Sequence, residues 1–143
     1  METVKLIIDR KPVEVPKGTT ILDAAKGMRI RIPTLCYMKL ADLHYENNPG
    51  ACRICVVEID GRRTLARSCK TQCMEGMVVQ THSPRVMNAR KTVMELILSN
   101  HPAECLTCSS NGHCELQAIA HDLGIREIRY KGEMSTFQID RSP

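Results

Sequence analysis

The alternation of apolar and polar positions near the amino terminus predicts a β-hairpin with one buried face. The apolar positions of this pattern are Val4, Leu6 and Ile8, followed after the turn segment 9–12 by Val13 and Val15. Thr19 or Thr20 can cap a helix over residues 21–26, which Gly27 ends. Strand, turn, strand and helix in this order are typical of the opening of a β-grasp fold, so we expect an α+β domain here.

A long segment without periodicity, residues 28–55, follows the predicted helix. A loop of this length in a compact domain usually has a function. This one carries Cys36 towards one end and Cys52 and Cys55 at the other. We therefore expect the loop to contribute to a metal or cofactor site.

A second hairpin is predicted around Asp60-Gly61, a strong turn signal between the short strands predicted over residues 56–59 and 64–66. Cys69 follows the second of these strands, and residues 76–81 have the composition of another strand. The first domain is predicted to end near residue 82.

The second part of the chain has a helical period. Ser83-Pro84 is a favourable helix start, and Pro102 lies just beyond the predicted end of this helix. The positions near one face of that helix are Val86, Arg90, Val93, Met94, Ile97 and Leu98. A shorter helix follows over residues 116–123 and is ended by Gly124. The predicted organisation is a β-grasp domain over residues 1–82, a small helical domain over 83–124, and an extended arm or linker over 125–143.

Composition favours a metalloprotein of one medium domain or two small ones. The chain has 143 residues and eight cysteines, but only 3% aromatic residues, so its apolar core needs additional support. No secretory signal or membrane-spanning segment is predicted, which indicates the reducing cytoplasm. Paired cysteines in that compartment indicate metal binding more often than disulfides. The net charge of +4 falls to about +1 if two anionic iron–sulfur clusters are bound, so nucleic-acid binding is not needed to explain it.

The densest group of candidate ligands is His101-x3-Cys105-x2-Cys108-x5-Cys114. Such a set can bind a tetrahedral zinc ion or a cubane iron–sulfur cluster with one imidazole ligand, and the local spacing does not choose between them. His101 could instead simply occupy a helix carboxyl end, where the helix dipole favours positive charge. His113, which is adjacent to Cys114 in the sequence, is interpreted as a spacer and not as a ligand. The remaining histidines, which lack cysteine partners at ligand spacing and are predicted to be surface residues, are His44, His82 and His121.

The other ligand set is Cys36-x15-Cys52-x2-Cys55-x13-Cys69. Plant-type ferredoxins hold a 2Fe–2S cluster with a C-x2-C pair, a further nearby cysteine and a distant fourth one. The first interval is much longer in this chain. Cys73 provides an alternative, because a zinc ribbon could use it together with Cys52, Cys55 and Cys69 and leave Cys36 free.

No other chemistry is predicted from the sequence. It contains no glycine-rich phosphate-binding motif and no nucleophile motif. Two functions from different classes remain: an iron–sulfur protein that relays electrons, and a structural two-zinc module for protein interaction.

Several segments resemble one known module. They are residues 51–58 (ACRICVVE), Ser68-Cys69, residues 75–79 (EGMVV), and residues 100–117 with their histidine and cysteines. The similar module forms the amino-terminal region of the large iron–sulfur subunit of respiratory complex I. It also opens the iron–sulfur subunits of NAD(P)-linked, electron-bifurcating iron-only hydrogenases and of some NAD-linked formate dehydrogenases. The long first loop and residues 90–98 (RKTVMELIL) are most similar to the hydrogenase branch.

This resemblance implies a specific set of cluster ligands. Those of a 2Fe–2S cluster would be Cys36, Cys52, Cys55 and Cys69, and those of a 4Fe–4S cluster would be His101, Cys105, Cys108 and Cys114. Cys73 matches no ligand position of the family and is expected to bind nothing.

The resemblance also implies a role as an electron-transfer component without a catalytic site of its own. The expected partners are a flavin- and NAD(P)-binding oxidoreductase subunit, other iron–sulfur subunits, and a hydrogenase or formate dehydrogenase catalytic subunit. In the similar hydrogenase subunits the chain continues into further domains. Whether these 143 residues are a complete subunit or the front of a longer one stays open.

Overall fold

The computed structural model describes residues 2–38, 48–133, 138 and 141–142. These residues form a mixed five-stranded sheet and three helices. The strands are β1 (Thr3–Ile8), β2 (Lys11–Pro16), β3 (Val56–Ile59), β4 (Ala66–Arg67) and β5 (Val78–Gln80). The helices are α1 (Ile21–Gly27), α2 (Pro84–Ser99) and α3 (Glu115–Asp122), and a 3-10 turn covers Cys105–Thr107.

The sheet has the order β2-β1-β5-β3-β4. β1 pairs antiparallel with β2, as the alternating pattern predicts, and parallel with β5. β3 pairs antiparallel with both β5 and β4. A hairpin, a helix and a later strand returning parallel to the first are the connections that a β-grasp arrangement requires.

The first hairpin turns without glycine. Asp9 and Arg10 both have positive φ angles, 47° and 68°. Aspartate tolerates the left-handed region better than most residues. The Asp9 carboxylate also accepts hydrogen bonds from the backbone nitrogen of Thr81, at 2.7 Å, and from the Thr81 hydroxyl. These bonds tie the turn to the residue that follows β5.

Helix α1 packs its apolar face into the same core as the sheet. Ile21, Leu22 and Ala25 are buried together with Ile8 of β1 and Val79 of β5. Thr20 caps the helix by accepting a 3.2 Å hydrogen bond from the backbone nitrogen of Asp23. This core positions both ends of the cysteine-bearing loop.

The described chain divides into two compact units, Met1–Val93 and Met94–Pro143, so that α2 contributes to both. The first unit contains the sheet and α1. The second contains the end of α2, the 3-10 turn and α3. Within the described ranges, no helix is both long and apolar enough to span a membrane.

Two cysteine sites and the family they identify

The first site lies in the unit Met1–Val93 and gathers thiols from three segments. Cys36 follows α1, Cys52 and Cys55 precede β3, and Cys69 follows β4. The Cys36 thiol interacts with Cys52 and the Cys69 thiol with Cys55, while Cys36 and Cys52 also act electrostatically on Cys69. All four sequence-predicted residues of this set are therefore brought together.

The local backbone supplies hydrogen bonds to sulfur. The backbone nitrogen of Gly50 donates a 3.3 Å bond to Sγ of Cys36. Burial tends to raise the pKa of Cys36, but hydrogen bonds from the backbone of Cys52, Gly50 and Ala51 and from the Cys52 side chain outweigh it. The pKa falls from 9.0 to about 7. Backbone donors that stabilise a thiolate are suited to an anionic sulfur-ligated group.

Glycine at position 50 allows this approach. Its φ angle is +119°, and a Cβ atom there would lie 3.1 Å from Nη1 of Arg67. A side chain at this position would be strained and would crowd Arg67. The small residue therefore lets the loop wrap closely around the thiols.

Cys55 and Cys69 form the buried side of the site, at 2% and 5% exposure. The buried Ser68 hydroxyl donates a 2.8 Å hydrogen bond to the carbonyl oxygen of Cys55. The backbone carbonyl oxygen of Ser68 accepts a 3.1 Å hydrogen bond from the backbone nitrogen of Leu22 in α1. Burial and the neighbouring Cys55 raise the pKa of Cys69 to about 12. Sequence reasoning missed the bracing role of Ser68; its place beside a predicted ligand was the only available signal.

Cys73 lies in the same buried core cluster as Cys55 and Cys69. It is 3% exposed, and its backbone nitrogen donates a 2.8 Å hydrogen bond to the carbonyl of Thr19. Burial raises its pKa, with a further contribution from the charge of Asp23. The thiols acting on Cys69 include Cys36, so the grouping differs from the zinc ribbon that uses Cys73.

The second site lies in the unit Met94–Pro143. A cavity of about 640 Å³ is lined by all four candidate ligands of the second set: His101, Cys105, Cys108 and Cys114. This volume is in the range of sites that enclose a bound group. Gln117 of α3 shapes its rim by accepting a 3.2 Å bond from the backbone nitrogen of Gly112 and donating a 3.0 Å bond to Asn111.

Each ligand candidate is placed by a local turn. His101 follows α2, and its backbone nitrogen donates a 3.1 Å bond to the carbonyl of Leu98. The 3-10 turn closes with a 3.2 Å bond from the nitrogen of Cys108 to the carbonyl of Cys105. Cys114 is the N-cap residue of α3. The short turn holds the C-x2-C pair on one side, and the two helix ends supply the other two residues.

The other histidines were predicted to be surface residues or a spacer. The His121 side chain is 91% exposed, as predicted, and it also lines the cavity. His113 is exposed and is not part of the lining. In the first unit, Nδ1 of His82 lies 4.0 Å from Oδ2 of Asp9. His44 falls outside the described residues.

The thiol groups suit iron–sulfur clusters. The four thiols of the first site are related by the pairwise interactions given above, and the second set surrounds a cavity. Both donor sets are rich in sulfur, and in the first a backbone N–H group donates to a sulfur, which matches the chemistry of clusters.

Comparison with protein families decides the identity of the first unit. Residues 1–84 match the family described as a 2Fe-2S iron-sulfur cluster binding domain. The chain belongs to this 2Fe–2S cluster binding family. Residues 90–129 of the chain match a second family, the NADH-ubiquinone oxidoreductase-G iron-sulfur binding region, which is a 4Fe–4S family. The chain therefore carries one cluster-binding region of each type.

The relatives of this chain are larger redox proteins. It is 53% identical over 143 residues to subunit HndD of the NADP-reducing hydrogenase of Solidesulfovibrio fructosivorans, covering 99% of this chain and 24% of that protein. It is 32% identical over 141 residues to the mitochondrial NADH dehydrogenase (ubiquinone) iron-sulfur protein 1 of Solanum tuberosum, covering 99% of this chain and 18% of that protein. The chain thus spans a quarter or less of these two relatives.

A solved structure agrees with this relationship. One chain of the crystal structure of an NAD+-reducing NiFe hydrogenase in the H2-reduced state superposes with a TM-score of 0.84 at 29% identity. The match covers 97% of this chain and 56% of that one. The sequence resemblance is confirmed, and the chain is an iron–sulfur electron-transfer module. The two-zinc alternative receives no support.

Proposed function

We propose that this module relays single electrons between a flavin- and NAD(P)-binding partner and a hydrogenase-type or formate dehydrogenase-type redox site. When bound, an iron–sulfur cluster accepts and donates one electron at a time. The chain's own contribution is to hold two such groups and, at the first site, to bury Cys55 and Cys69 and to direct the Gly50 backbone N–H at the Cys36 sulfur. The observation that carries the proposal is that each predicted ligand set is gathered at one place in its own unit.

The proposal assigns the 2Fe–2S cluster to the first unit. Its ligands are Cys36, Cys52, Cys55 and Cys69. Their support is the contact between the thiols and the hydrogen bond from Gly50 to Cys36. Cys73 is not proposed as a ligand, because the thiols that act on Cys69 are those of Cys55, Cys36 and Cys52.

The 4Fe–4S cluster is assigned to the cavity of the second unit. Its ligands are His101, Cys105, Cys108 and Cys114, which line that cavity. His121 also lines the cavity, but its side chain is 91% exposed and it lies seven residues beyond Cys114. We assign the imidazole ligand to His101 because it lines the cavity and because its position four residues before Cys105 matches the ligand pattern that the family resemblance implies.

The domain division and the location belong to the same proposal. We propose a 2Fe–2S domain over residues 1–82, a helical 4Fe–4S domain over 83–124 and an arm over 125–143. Family matches over 1–84 and 90–129 support the two domains. The partners are proposed from the relatives, which are a subunit of an NADP-reducing hydrogenase and an iron–sulfur protein of an NADH dehydrogenase. We propose a cytoplasmic location, in which reduced thiols are available for clusters.

Analysis of anaerobically purified protein tests this function. We expect about six iron and six acid-labile sulfide per chain, and two EPR signals that appear separately during stepwise reduction. A colourless protein with two zinc ions and no sulfide would contradict the proposal. Anaerobic purification of the tagged chain from its source should also recover a flavin-containing subunit.

A further inference from the structure

Arg90 is a charged residue inside the first unit. It lies on α2 and is 1% exposed, which makes it one of the largest fully buried side chains. Its Nη2 atom donates a 2.8 Å hydrogen bond to the carbonyl oxygen of Val56, the residue after Cys55. Its Nε atom is the only buried side-chain nitrogen or oxygen without a hydrogen-bond partner among the described residues.

A buried guanidinium with so few hydrogen bonds needs a compensating negative charge, because burial of an unpaired charge is costly. Burial lowers the pKa of Arg90 from 12.5 to about 10, and the charges of Cys55 and Asp9 act in the opposite direction. The group therefore remains cationic at neutral pH. Cys55 and Asp9 are the two candidates for the compensating charge.

Asp9 is the weaker candidate. Its side chain is 31% exposed and already accepts hydrogen bonds from Thr81, and His82 lies 4.0 Å away. Solvent therefore screens its charge. Cys55 is 2% exposed, and its neighbour Val56 receives the guanidinium hydrogen bond. Cys55 is therefore the candidate that can act on Arg90 through a medium of low dielectric constant.

We propose that Arg90 is the buried counter-charge of the 2Fe–2S cluster and raises its reduction potential. This inference rests on the assignment of Cys55 as a ligand in the proposed function. One-electron reduction adds one negative charge at the site, and a fixed positive charge nearby in a medium of low dielectric constant stabilises the reduced state more than the oxidised one. The bond to Val56 holds the guanidinium in place, so Arg90 acts on the potential through space.

The experiment is an anaerobic redox titration of the full chain carrying both clusters, with each cluster followed by its own EPR signal. Arg90→Gln removes the charge and keeps a donor for the Val56 carbonyl, and Arg90→Lys keeps the charge. Lys91→Met is the matched control, because Lys91 is the next residue on α2 but is exposed. The 4Fe–4S signal serves as an internal reference.

We expect Arg90→Gln to lower the 2Fe–2S midpoint so that, at a fixed potential, the ratio of reduced to oxidised cluster falls roughly tenfold, about 59 mV for one electron. Arg90→Lys and Lys91→Met should stay near wild type. A 2Fe–2S cluster retained by Arg90→Lys but lost from Arg90→Gln would also support a requirement for charge. An unchanged midpoint in Arg90→Gln, or loss of the cluster from both Arg90 variants, would overturn the inference. Absence of the cluster from the wild-type chain would instead refute the proposed function.

Discussion

Arg129 donates a 2.7 Å hydrogen bond from Nε to Oε2 of Glu95. The Glu95 side chain, on α2, is 1% exposed, whereas that of Arg129 is 56% exposed. The hydrogen bond to Glu95 and its charge raise the pKa of Arg129. Because a buried carboxylate is unfavourable without a partner, this pair ties the segment that follows α3 to the end of α2 within the second unit.

Removal of this pair should release that segment. We expect Arg129→Met to accelerate tryptic cleavage after Lys131 relative to the wild type. Arg126→Met is the matched control, since it removes a cleavable and exposed arginine from the same segment. Equal cleavage rates after Lys131 in the two variants would show that the Glu95 pair does not restrain the segment.

Gly132 provides a second, independent test of the same attachment. A Cβ atom at this position would lie 2.2 Å from the carbonyl oxygen of Ser99 and 2.3 Å from Oδ1 of Asn100. Backbone cannot yield as a flexible side chain can, so Gly132→Ala should displace the segment. We expect faster hydrogen exchange over residues 126–133 in this variant. Gly27→Ala, where a Cβ atom meets nothing within 4 Å, should leave that exchange unchanged.

The carboxyl ends of α1 and α3 have the same hydrogen-bond pattern but different residues at the left-handed position. After α1, Ile30 bonds to the carbonyl of Ala25 at 2.9 Å, and Arg29 has φ +59°. After α3, Ile125 bonds to Ala120 at 3.0 Å, and the left-handed residue is Gly124. Only glycine adopts this conformation without strain.

Exchanging these two residue types should have opposite effects. Arg29→Gly is expected to stabilise the protein by about 0.5 kcal/mol, because relief of strain exceeds the entropic cost of glycine. Gly124→Ala is expected to destabilise it by about 1 kcal/mol. Chemical denaturation measures both changes. A destabilised Arg29→Gly variant would indicate that the arginine side chain makes a favourable interaction that outweighs the strain.

The imidazole of the second site can be tested through its charge. His101→Cys replaces a neutral ligand by a thiolate and adds one negative charge to the 4Fe–4S site. Because added negative charge disfavours reduction, we expect a lower midpoint potential for this cluster in an EPR-monitored titration. His121→Ala, which alters the other histidine of the cavity lining, should not shift the midpoint. An unchanged or higher midpoint in His101→Cys would argue against the imidazole ligand.

The sequence predicted the elements whose residues carry strong local signals. The alternation through Val4, Leu6 and Ile8 predicted the first hairpin, and Ser83-Pro84 predicted the start of α2. Strand β4 was less well placed, at Ala66–Arg67 instead of residues 64–66, because two residues paired with β3 carry little periodicity. Gly27 was expected to end α1 and is its last residue, but the left-handed residue is Arg29.

The sequence predicted which residues could be ligands at the candidate sites, but not which residues surround those ligands. Spacing alone left Cys36 and Cys73 as alternatives, because only the folded chain determines which thiols act on Cys69, and Cys36 is one of them. Arg90 stood on the apolar face of α2 in the sequence pattern, and this was the signal of its burial. Its proximity to Cys55 depends on contacts between residues more than 30 positions apart, which no local pattern contains.

The most direct test of the account compares Cys36→Ser with Cys73→Ser. The two substitutions make the same chemical change, one at a proposed ligand and one at a buried cysteine outside the site. Iron and sulfide analysis with EPR, using the 4Fe–4S signal as an internal reference, measures the result. We predict that Cys36→Ser loses or strongly alters the 2Fe–2S signal while Cys73→Ser retains it. A 2Fe–2S cluster that survives Cys36→Ser but disappears in Cys73→Ser would contradict the assignment on which this account depends.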